Sequence, residues 1–251
     1  AFIAIPPSYE SGEPNTSIFR ALAESGVSII TADKTVLARD FKKAMNIARD
    51  NNVFVGYRAT VAAGIPAIDL ALGLRGRPVK AVKAVLNATT NYILTLMEQG
   101  LDFSQAVARA IEEKLAEPDP RVDTHGWDPA AKLAILLSTM GFPARLSDVE
   151  RIPLETVSPE RVREALKQGR RIKYVAEADI ASRKLSVKPV EVPSDSFLAS
   201  AEGNYNAIEV WAEEEPIRLW GPVGPAWRTA RVMLTDALEY MRFRELAGRR
   251  T

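Results

Sequence analysis

The first sixty residues alternate short apolar runs with longer segments of helical periodicity. The apolar runs are AFIAI (1–5), VSII (27–30) and VFVGY (53–57). Between them, apolar residues at helical spacing over 15–25 and 39–51 predict two amphipathic helices. Strands separated by helices of this length are typical of βαβ units, so this part of the chain is predicted to form a parallel sheet.

The pattern changes after about residue 60, where helices come first and strands follow. Helices are predicted over residues 64–73, 89–99, 102–115, 128–141 and 227–246. Strands are predicted over residues 79–86, 172–180, 185–192, 206–213 and 216–222. An Asp at the N-cap with Pro after it predicts that one helix begins at Asp128-Pro129. The pattern therefore predicts a second, strand-rich part of the fold.

Composition excludes several classes of function. The formal net charge of +1 gives no basic surface for nucleic acid, and no apolar run approaches the ~20 residues needed to span a membrane. Cysteine is absent and His125 is the single histidine, so disulfides, thiolate chemistry and multi-histidine metal sites are excluded. Abundant proline and an excess of arginine over lysine favour a thermophilic source.

Polar side chains are concentrated in LAEPDPRVDTHGWDPAAK (115–132). Asp128 and Lys132 are four residues apart on a predicted helix, so they share a face. One interpretation is a capping Asp with a surface ion pair. The other is a lysine at the mouth of a buried helix, because LAILLSTM after Lys132 is apolar almost all round. Such a lysine among carboxylates suits proton transfer to a substrate oxygen or binding of an ammonium group.

Three other features allow both a structural and a functional interpretation. His125 has no partners for a catalytic triad, and we interpret it as structural. Lys34 follows the VSII strand directly, where parallel sheets bind ligands, but it could equally be a solvated loop lysine. The small-residue turn over 60–66 allows a ligand or ion to approach the backbone, or serves close packing.

Four segments together resemble the homoserine dehydrogenase family. They are TADK (31–34), YRATVAAGIP (57–66), VLNATTNYIL (85–94) and LAEPDPRVDTHGWDPAAKLAIL (115–136). The last resembles the long family signature E-x-D-P-x-x-D-x-x-G-x-D-x-x-x-K. The order and spacing agree from Ser11 to Met140, so the resemblance covers more than half of the chain.

The resemblance implies roles for the polar side chains. Lys132 would be the acid/base lysine and Asp128 would orient both this lysine and the substrate. Lys34 would lie between cofactor and substrate as a second proton carrier. Glu117 and Asp123 would bind the ammonium and hydroxyl side of the substrate, with Thr89 at its edge.

The resemblance also implies a cofactor and an ion. The cofactor would be NADP or NAD, with NADP favoured. Its contacts would be Ile5, Pro6, Lys34, Gly221, Gly224 and Thr229. The backbone carbonyls of Arg58, Val61, Ala63 and Ile65 would hold a monovalent cation, expected to be sodium.

The implied fold is α/β, with a partial Rossmann-type parallel sheet and an α+β catalytic and dimerisation domain whose mixed sheet is covered by helices. We expect residues 1–60, with the return of 221–251, in the nucleotide-binding domain, and 61–220 in the substrate-binding and dimerisation domain. The implied reaction is reversible, NAD(P)-dependent reduction of L-aspartate 4-semialdehyde to L-homoserine, in threonine, methionine and isoleucine biosynthesis. We expect a cytoplasmic homodimer.

Some positions depart from the family pattern. Arg58 stands where Glu is usual, Leu115 replaces Tyr and Asp33 replaces Asn, while Val223 and Pro225 occupy glycine-like places. The G-x-G-x-x-G turn of the family is absent from this sequence, and we expect an N-terminal segment before Ala1. Two alternatives therefore stay open: an inactive substrate-binding and dimerisation fragment of the same enzyme, or another amino-acid dehydrogenase.

Overall fold

The computed structural model describes residues 1–248, which fall into two compact units. The first unit contains residues 1–75, 134–145 and 224–248 of the described chain. The second contains residues 76–133 and 146–223. Each unit has its own sheet, and the predicted α/β class is confirmed. Among the described residues, no helix is long and apolar enough to cross a membrane.

The elements of the described residues follow in chain order. The strands are β1 (Phe2–Ile3), β2 (Ile29–Thr31), β3 (Val55–Gly56), β4 (Ala81–Val85), β5 (Val149–Arg151), β6 (Arg170–Asp179), β7 (Lys184–Pro193), β8 (Tyr205–Trp211) and β9 (Ile217–Pro222). The helices are α1 (Asn15–Glu24), α2 (Thr35–Asp50), α3 (Ala67–Gly73), α4 (Ala88–Glu98), α5 (Phe103–Glu112), α6 (Arg121–Thr124), α7 (Trp127–Met140), α8 (Pro159–Lys167) and α9 (Ala226–Gly248).

The first unit is built on a three-stranded parallel sheet in the order β1-β2-β3. Helices α1 and α2 connect successive strands, because parallel neighbours need a crossover connection. Helix α9 packs against β2, and its Met233 is buried against Ile30 of β2 and Ala59 of the segment after β3. The predicted parallel sheet is therefore confirmed.

The second unit is built on a six-stranded mixed sheet in the order β5-β7-β6-β4-β8-β9. All neighbours are antiparallel except β5 and β7. A cluster of small and branched apolar side chains covers one face: Val85, Val175, Leu198, Ala201 and Ala207. The predicted mixed sheet is confirmed. Strand β4 ends at Val85, directly before Leu86 and Asn87.

The predicted start of α7, with Asp128 as the N-cap and Pro129 as the first helical residue, was wrong by two residues. Helix α7 begins at Trp127, so Asp128 lies in its first turn and not at its N-cap. The carbonyl of Gly126 accepts the hydrogen bond from the amide of Ala130. Gly126 has a φ of +79°, which lets the chain turn sharply into the helix two residues earlier than the Asp-Pro pattern predicted.

Candidate active site

Lys132 and Asp128 form an ion pair on the first turns of α7. Lys132 Nζ lies 2.7 Å from Asp128 Oδ2, and their side chains are only 15% and 11% exposed. Lys132 Nζ also donates a hydrogen bond of 2.7 Å to the carbonyl of Leu86. An ammonium group has three N–H donors. Two of them are engaged here, so the lysine is held in one position with a third donor for another acceptor.

Asn87 connects the carboxylates of the polar cluster, which consists of Asn87, Asp123, Asp128 and Lys132. It is the N-cap of α4, and its Oδ1 accepts from the amide of Thr90 at 2.9 Å. Its Nδ2 donates to Asp123 Oδ1 at 2.6 Å and to Asp128 Oδ2 at 2.9 Å. Asn87 is a site residue that the sequence pattern does not indicate. The available signal was an Asn placed directly between a strand and a helix that precede the acidic loop.

Asp123 lies on α6 and is partly buried. Burial, and then the neighbouring charge of Asp128, raise the pKa of Asp123 to about 6, while the hydrogen bond from Asn87 and the charge of Lys132 act in the opposite direction. Two carboxylates so close to each other resist simultaneous ionisation. A carboxyl group that changes charge near neutral pH is typical of functional sites.

Two further predicted substrate residues have different surroundings. Thr89 Oγ1 donates to the carbonyl of Leu115 at 3.0 Å, and the Thr89 hydroxyl is near enough to Asp123 to lower the pKa of that carboxyl group slightly. Glu117 is exposed in the loop between α5 and α6. Within the described part of the chain no hydrogen bond or ion pair joins Glu117 to the cluster. The structure therefore brings Thr89, Asp123 and the Lys132 pair together, and leaves Glu117 on the surface.

His125 lies next to the cluster but faces a different partner. Its Nε2 is 3.0 Å from Glu155 Oε1, and both side chains are more than one third exposed. This contact holds the α6–α7 junction against the segment after β5. It agrees with a structural interpretation of His125.

In the first unit, a hydrogen-bonded turn precedes Lys34. Asp33 Oδ1 accepts from the amide and hydroxyl of Thr35, and the amide of Asp33 donates to Thr31 Oγ1. Asn15 Nδ2 donates both to Thr35 Oγ1 and to the carbonyl of Pro6. These bonds join the loops that follow β1 and β2, so Lys34 is partly buried at a rigid helix start.

The predicted cation segment, residues 58–65, is also in the first unit. Ala62 has a φ of +47°, which turns the chain sharply between Val61 and Ala63. Residues 63–69 and Arg58 line a cavity of about 170 Å³. Three carboxylates surround the guanidinium of Arg58: those of Asp69, Asp236 and Glu239.

Arg58 therefore sits in an excess of negative charge, because one guanidinium faces three carboxylates. Asp236 is fully buried, and burial raises the pKa of its carboxyl group, against the hydrogen bonds from Arg58. The remaining negative charge is compatible with a bound cation nearby. Arg58, which stands where the family usually has Glu, therefore still leaves net negative charge that favours a cation.

The remaining predicted cofactor residues lie in three segments. Ile5 is partly buried and Pro6 exposed after β1. Gly221 is buried on β9 in the second unit. Gly224, with a φ of +60°, and Thr229 on α9 are partly buried in the first unit. No Gly-rich phosphate loop is present in the sequence.

Comparisons with known proteins show the family to which the chain is related. A family model described as homoserine dehydrogenase matches residues 66–238. A homoserine dehydrogenase from Sulfurisphaera tokodaii is 36% identical over 231 residues, which are 92% of this chain and 73% of that protein. The chain belongs to the homoserine dehydrogenase family. The resemblance and the expected oxidoreductase class are therefore confirmed.

Further members of the homoserine dehydrogenase family show the same extent of similarity. A protein from Pseudomonas canavaninivorans named NAD(+)-dependent homoserine dehydrogenase is 32% identical, over 90% of this chain and 66% of that protein. The crystal structure of a homoserine dehydrogenase from Thiobacillus denitrificans has a TM-score of 0.90 at 26% identity, and covers 97% of this chain and 57% of that one. The chain thus spans between about half and three quarters of these homoserine dehydrogenases.

Proposed function

We propose that this chain carries the substrate-binding and proton-transfer part of an NAD(P)-dependent homoserine dehydrogenase. The reaction is the reversible reduction of L-aspartate 4-semialdehyde to L-homoserine, a step towards threonine, methionine and isoleucine. The observation that supports it best is the ammonium of Lys132, held by Asp128 and the Leu86 carbonyl with one donor left for a substrate oxygen. The bound cofactor supplies or accepts the hydride.

Lys132 serves as the acid and base of the proposed reaction. In reduction its third N–H donates to the carbonyl oxygen of the aldehyde and transfers a proton as charge develops there. Asp128, 2.7 Å away, stabilises the charged form of the lysine and fixes its direction. In the reverse direction the neutral amine takes the hydroxyl proton of homoserine. Lys34 is proposed as the second proton carrier.

The substrate's ammonium group has carboxylate partners in the same unit. Asp123 and Asp128 are joined through Asn87, and together they exceed the single positive charge of Lys132. This excess suits a cationic group. Thr89 lies at the edge of the same cluster, and we propose that exposed Glu117 also contacts the substrate's ammonium and hydroxyl side.

We propose that the cofactor is bound through Ile5, Pro6, Lys34, Gly221, Gly224 and Thr229. The hydrogen-bonded turn before Lys34 lies at the carboxyl end of a parallel strand, where open α/β sheets bind nucleotides. NADP remains our preferred form, although one relative is named NAD(+)-dependent. Both cofactors therefore belong in the assay.

The carbonyls of Arg58, Val61, Ala63 and Ile65 are proposed to bind sodium. The left-handed Ala62 and the excess of carboxylates around Arg58 support this assignment. We also propose that the whole enzyme is a homodimer, that it is located in the cytoplasm, and that it comes from a thermophilic organism. These three proposals rest on the family resemblance and on composition.

The experiment compares the parent chain with Lys132→Ala in an assay of homoserine-dependent NAD(P) reduction. General acid–base catalysis contributes about 10²–10⁴-fold, so Lys132→Ala should lower kcat by at least about 100-fold with unchanged cofactor affinity. Lys167→Ala is the matched control, because Lys167 is an exposed lysine on α8, 75% accessible. Near-normal turnover of Lys132→Ala would contradict the assignment.

One alternative has support of its own. Because the chain spans 66% and 57% of two of its relatives, it is also a candidate for a binding and oligomerising fragment without turnover. In that case the parent binds homoserine in calorimetry but reduces neither NAD nor NADP. Turnover by the parent chain would exclude this alternative.

A further inference from the structure

Asn206 on β8 is a buried amide without a partner. Its residue is 0% exposed, and within the described part of the chain neither its Oδ1 nor its Nδ2 has a hydrogen-bond partner. Burying a polar group without a hydrogen bond is unfavourable. Both halves of this amide are in that condition, so a hydrogen-bonding partner for the side chain would remove a cost that the fold carries.

The direction of the Asn206 side chain follows from its neighbour. Ala207 belongs to the apolar cluster on one face of the six-stranded sheet, together with Val85 and Val175. Successive side chains of a strand point to opposite faces. The pairing of β8 with β9 is continuous, without a bulge. Asn206 therefore points to the face opposite that cluster.

The same face carries the polar cluster. Tyr174, next to Val175, lies on it, and its hydroxyl donates to the carbonyl of Thr124 at 3.3 Å. A Cβ added at Gly126 would lie 2.7 Å from the Tyr174 hydroxyl. The junction between α6 and α7 thus packs directly on the face to which Asn206 points. Asp128 follows four residues after Thr124, and Lys132 follows one helical turn after Asp128.

Register places Asn206 beside the anchor of Lys132. Ala207 pairs with Val85, the last residue of β4, so Asn206 lies one residue beyond the end of this pairing, on the side where Leu86 follows Val85 and its carbonyl holds Lys132 Nζ at 2.7 Å. Neighbouring strands are about 4.8 Å apart. On its other side Asn206 is paired with Gly221, which has no side chain.

We propose that Asn206 is a substrate-binding residue whose Nδ2 donates a hydrogen bond to the substrate oxygen that Lys132 protonates. The inference deepens the proposed function and rests on it. Lys132 has one donor left for that oxygen, and a second donor from a neutral amide stabilises the charge that develops there without adding a competing charge. The side-chain amide then has in the complex the partner that it lacks without substrate.

The test uses the full chain with Asn206→Ala and Asn206→Asp, which removes the donor at nearly the same volume. Removing one donor to a developing oxyanion costs about 10²–10³ in kcat. We therefore expect kcat/KM for homoserine to fall about 100-fold in both variants, with the KM of NAD(P) unchanged. Trp211→Phe is the matched control, because it removes another buried, unpartnered N–H at the far end of the same strand.

Binding is measured separately from turnover, by the rise in unfolding temperature that homoserine causes. Asn206→Ala should lose this rise while keeping the rise caused by NAD(P). The inference is overturned if Asn206→Ala keeps kcat/KM within twofold of the parent, as expected for an amide that only holds a water molecule. It is also overturned if only the affinity for the cofactor changes. A parent that neither binds nor oxidises homoserine would instead contradict the proposed function itself.

Discussion

Replacing Asp123 with Asn should stabilise the fold and impair the site. Asp123 is partly buried beside Asp128, and its pKa rises from 3.8 to about 6. A rise of about 2 in pKa corresponds to about 3 kcal/mol between the two protonation states. This is the upper limit for the free energy that ionised Asp123 costs the folded state. Because Asn keeps an oxygen that accepts from Asn87, we expect Asp123→Asn to raise the free energy of unfolding by about 1–2 kcal/mol of this limit.

The gain should depend on pH in a defined direction. Below about pH 3.8 the group is protonated in both the folded and unfolded states, so its charge costs nothing. Between 3.8 and about 6 only the unfolded state ionises, and the stability of the parent falls as pH rises. Above about pH 6 the group is ionised in both states, and the folded state carries the full free-energy cost of its charge. Asp123→Asn should remove this slope.

The assay is urea unfolding of parent and variant at pH 5, 6.5 and 8, together with homoserine kinetics at pH 8. We expect the stability difference to increase from pH 5 to 6.5, and homoserine kcat/KM to fall at least tenfold. Asp119→Asn is the control, because the pKa of Asp119 is lowered to about 2 by Arg121, so its loss of charge should not stabilise. A variant less stable than the parent at pH 8 would refute the reasoning.

Two further predictions concern the backbone turn before α7 and the cation segment. Gly126→Ala should cost more than the ~1–2 kcal/mol of a left-handed non-glycine residue, because its Cβ would meet the Tyr174 hydroxyl at 2.7 Å. Gly203→Ala, with a φ of +53° and nothing within 4 Å, should show only the backbone cost in the same unfolding assay. Sodium chloride should raise the unfolding temperature of the first unit above its value in choline chloride at equal ionic strength. Equal temperatures would contradict the sodium proposal.

Much of the fold was predictable because periodicity is a local property of the sequence. The strands predicted over 172–180 and 185–192 are β6 and β7 with shifts of one or two residues. The sequence pattern indicates no element over 142–171, although this segment contains β5 and α8. Strand β5 has three residues, too few to show alternation, and it is fixed by its parallel pairing with β7.

The site was predictable only where its residues are close in sequence. The four-residue spacing of Asp128 and Lys132 gave their ion pair directly. The Leu86 carbonyl and the Asn87 amide reach the same pair from more than forty residues away. A carbonyl has no side-chain signature, and an N-cap Asn has a sufficient structural reason to be present. Their part in the site appears only once β4 and α7 are adjacent.

The stability cost of Asp123 and its proposed role have the same physical origin. With both carboxylates ionised, Asp123, Asp128 and Lys132 carry a net charge of −1, and burial together with the neighbouring charge of Asp128 raises the pKa of Asp123. A substrate ammonium cancels the excess, so its binding should lower that pKa again and favour the ionised form. Homoserine should therefore bind more tightly as pH rises through about 6. Ionised Asp123 thus destabilises the substrate-free protein, and the ammonium group of the bound substrate stabilises the same carboxylate.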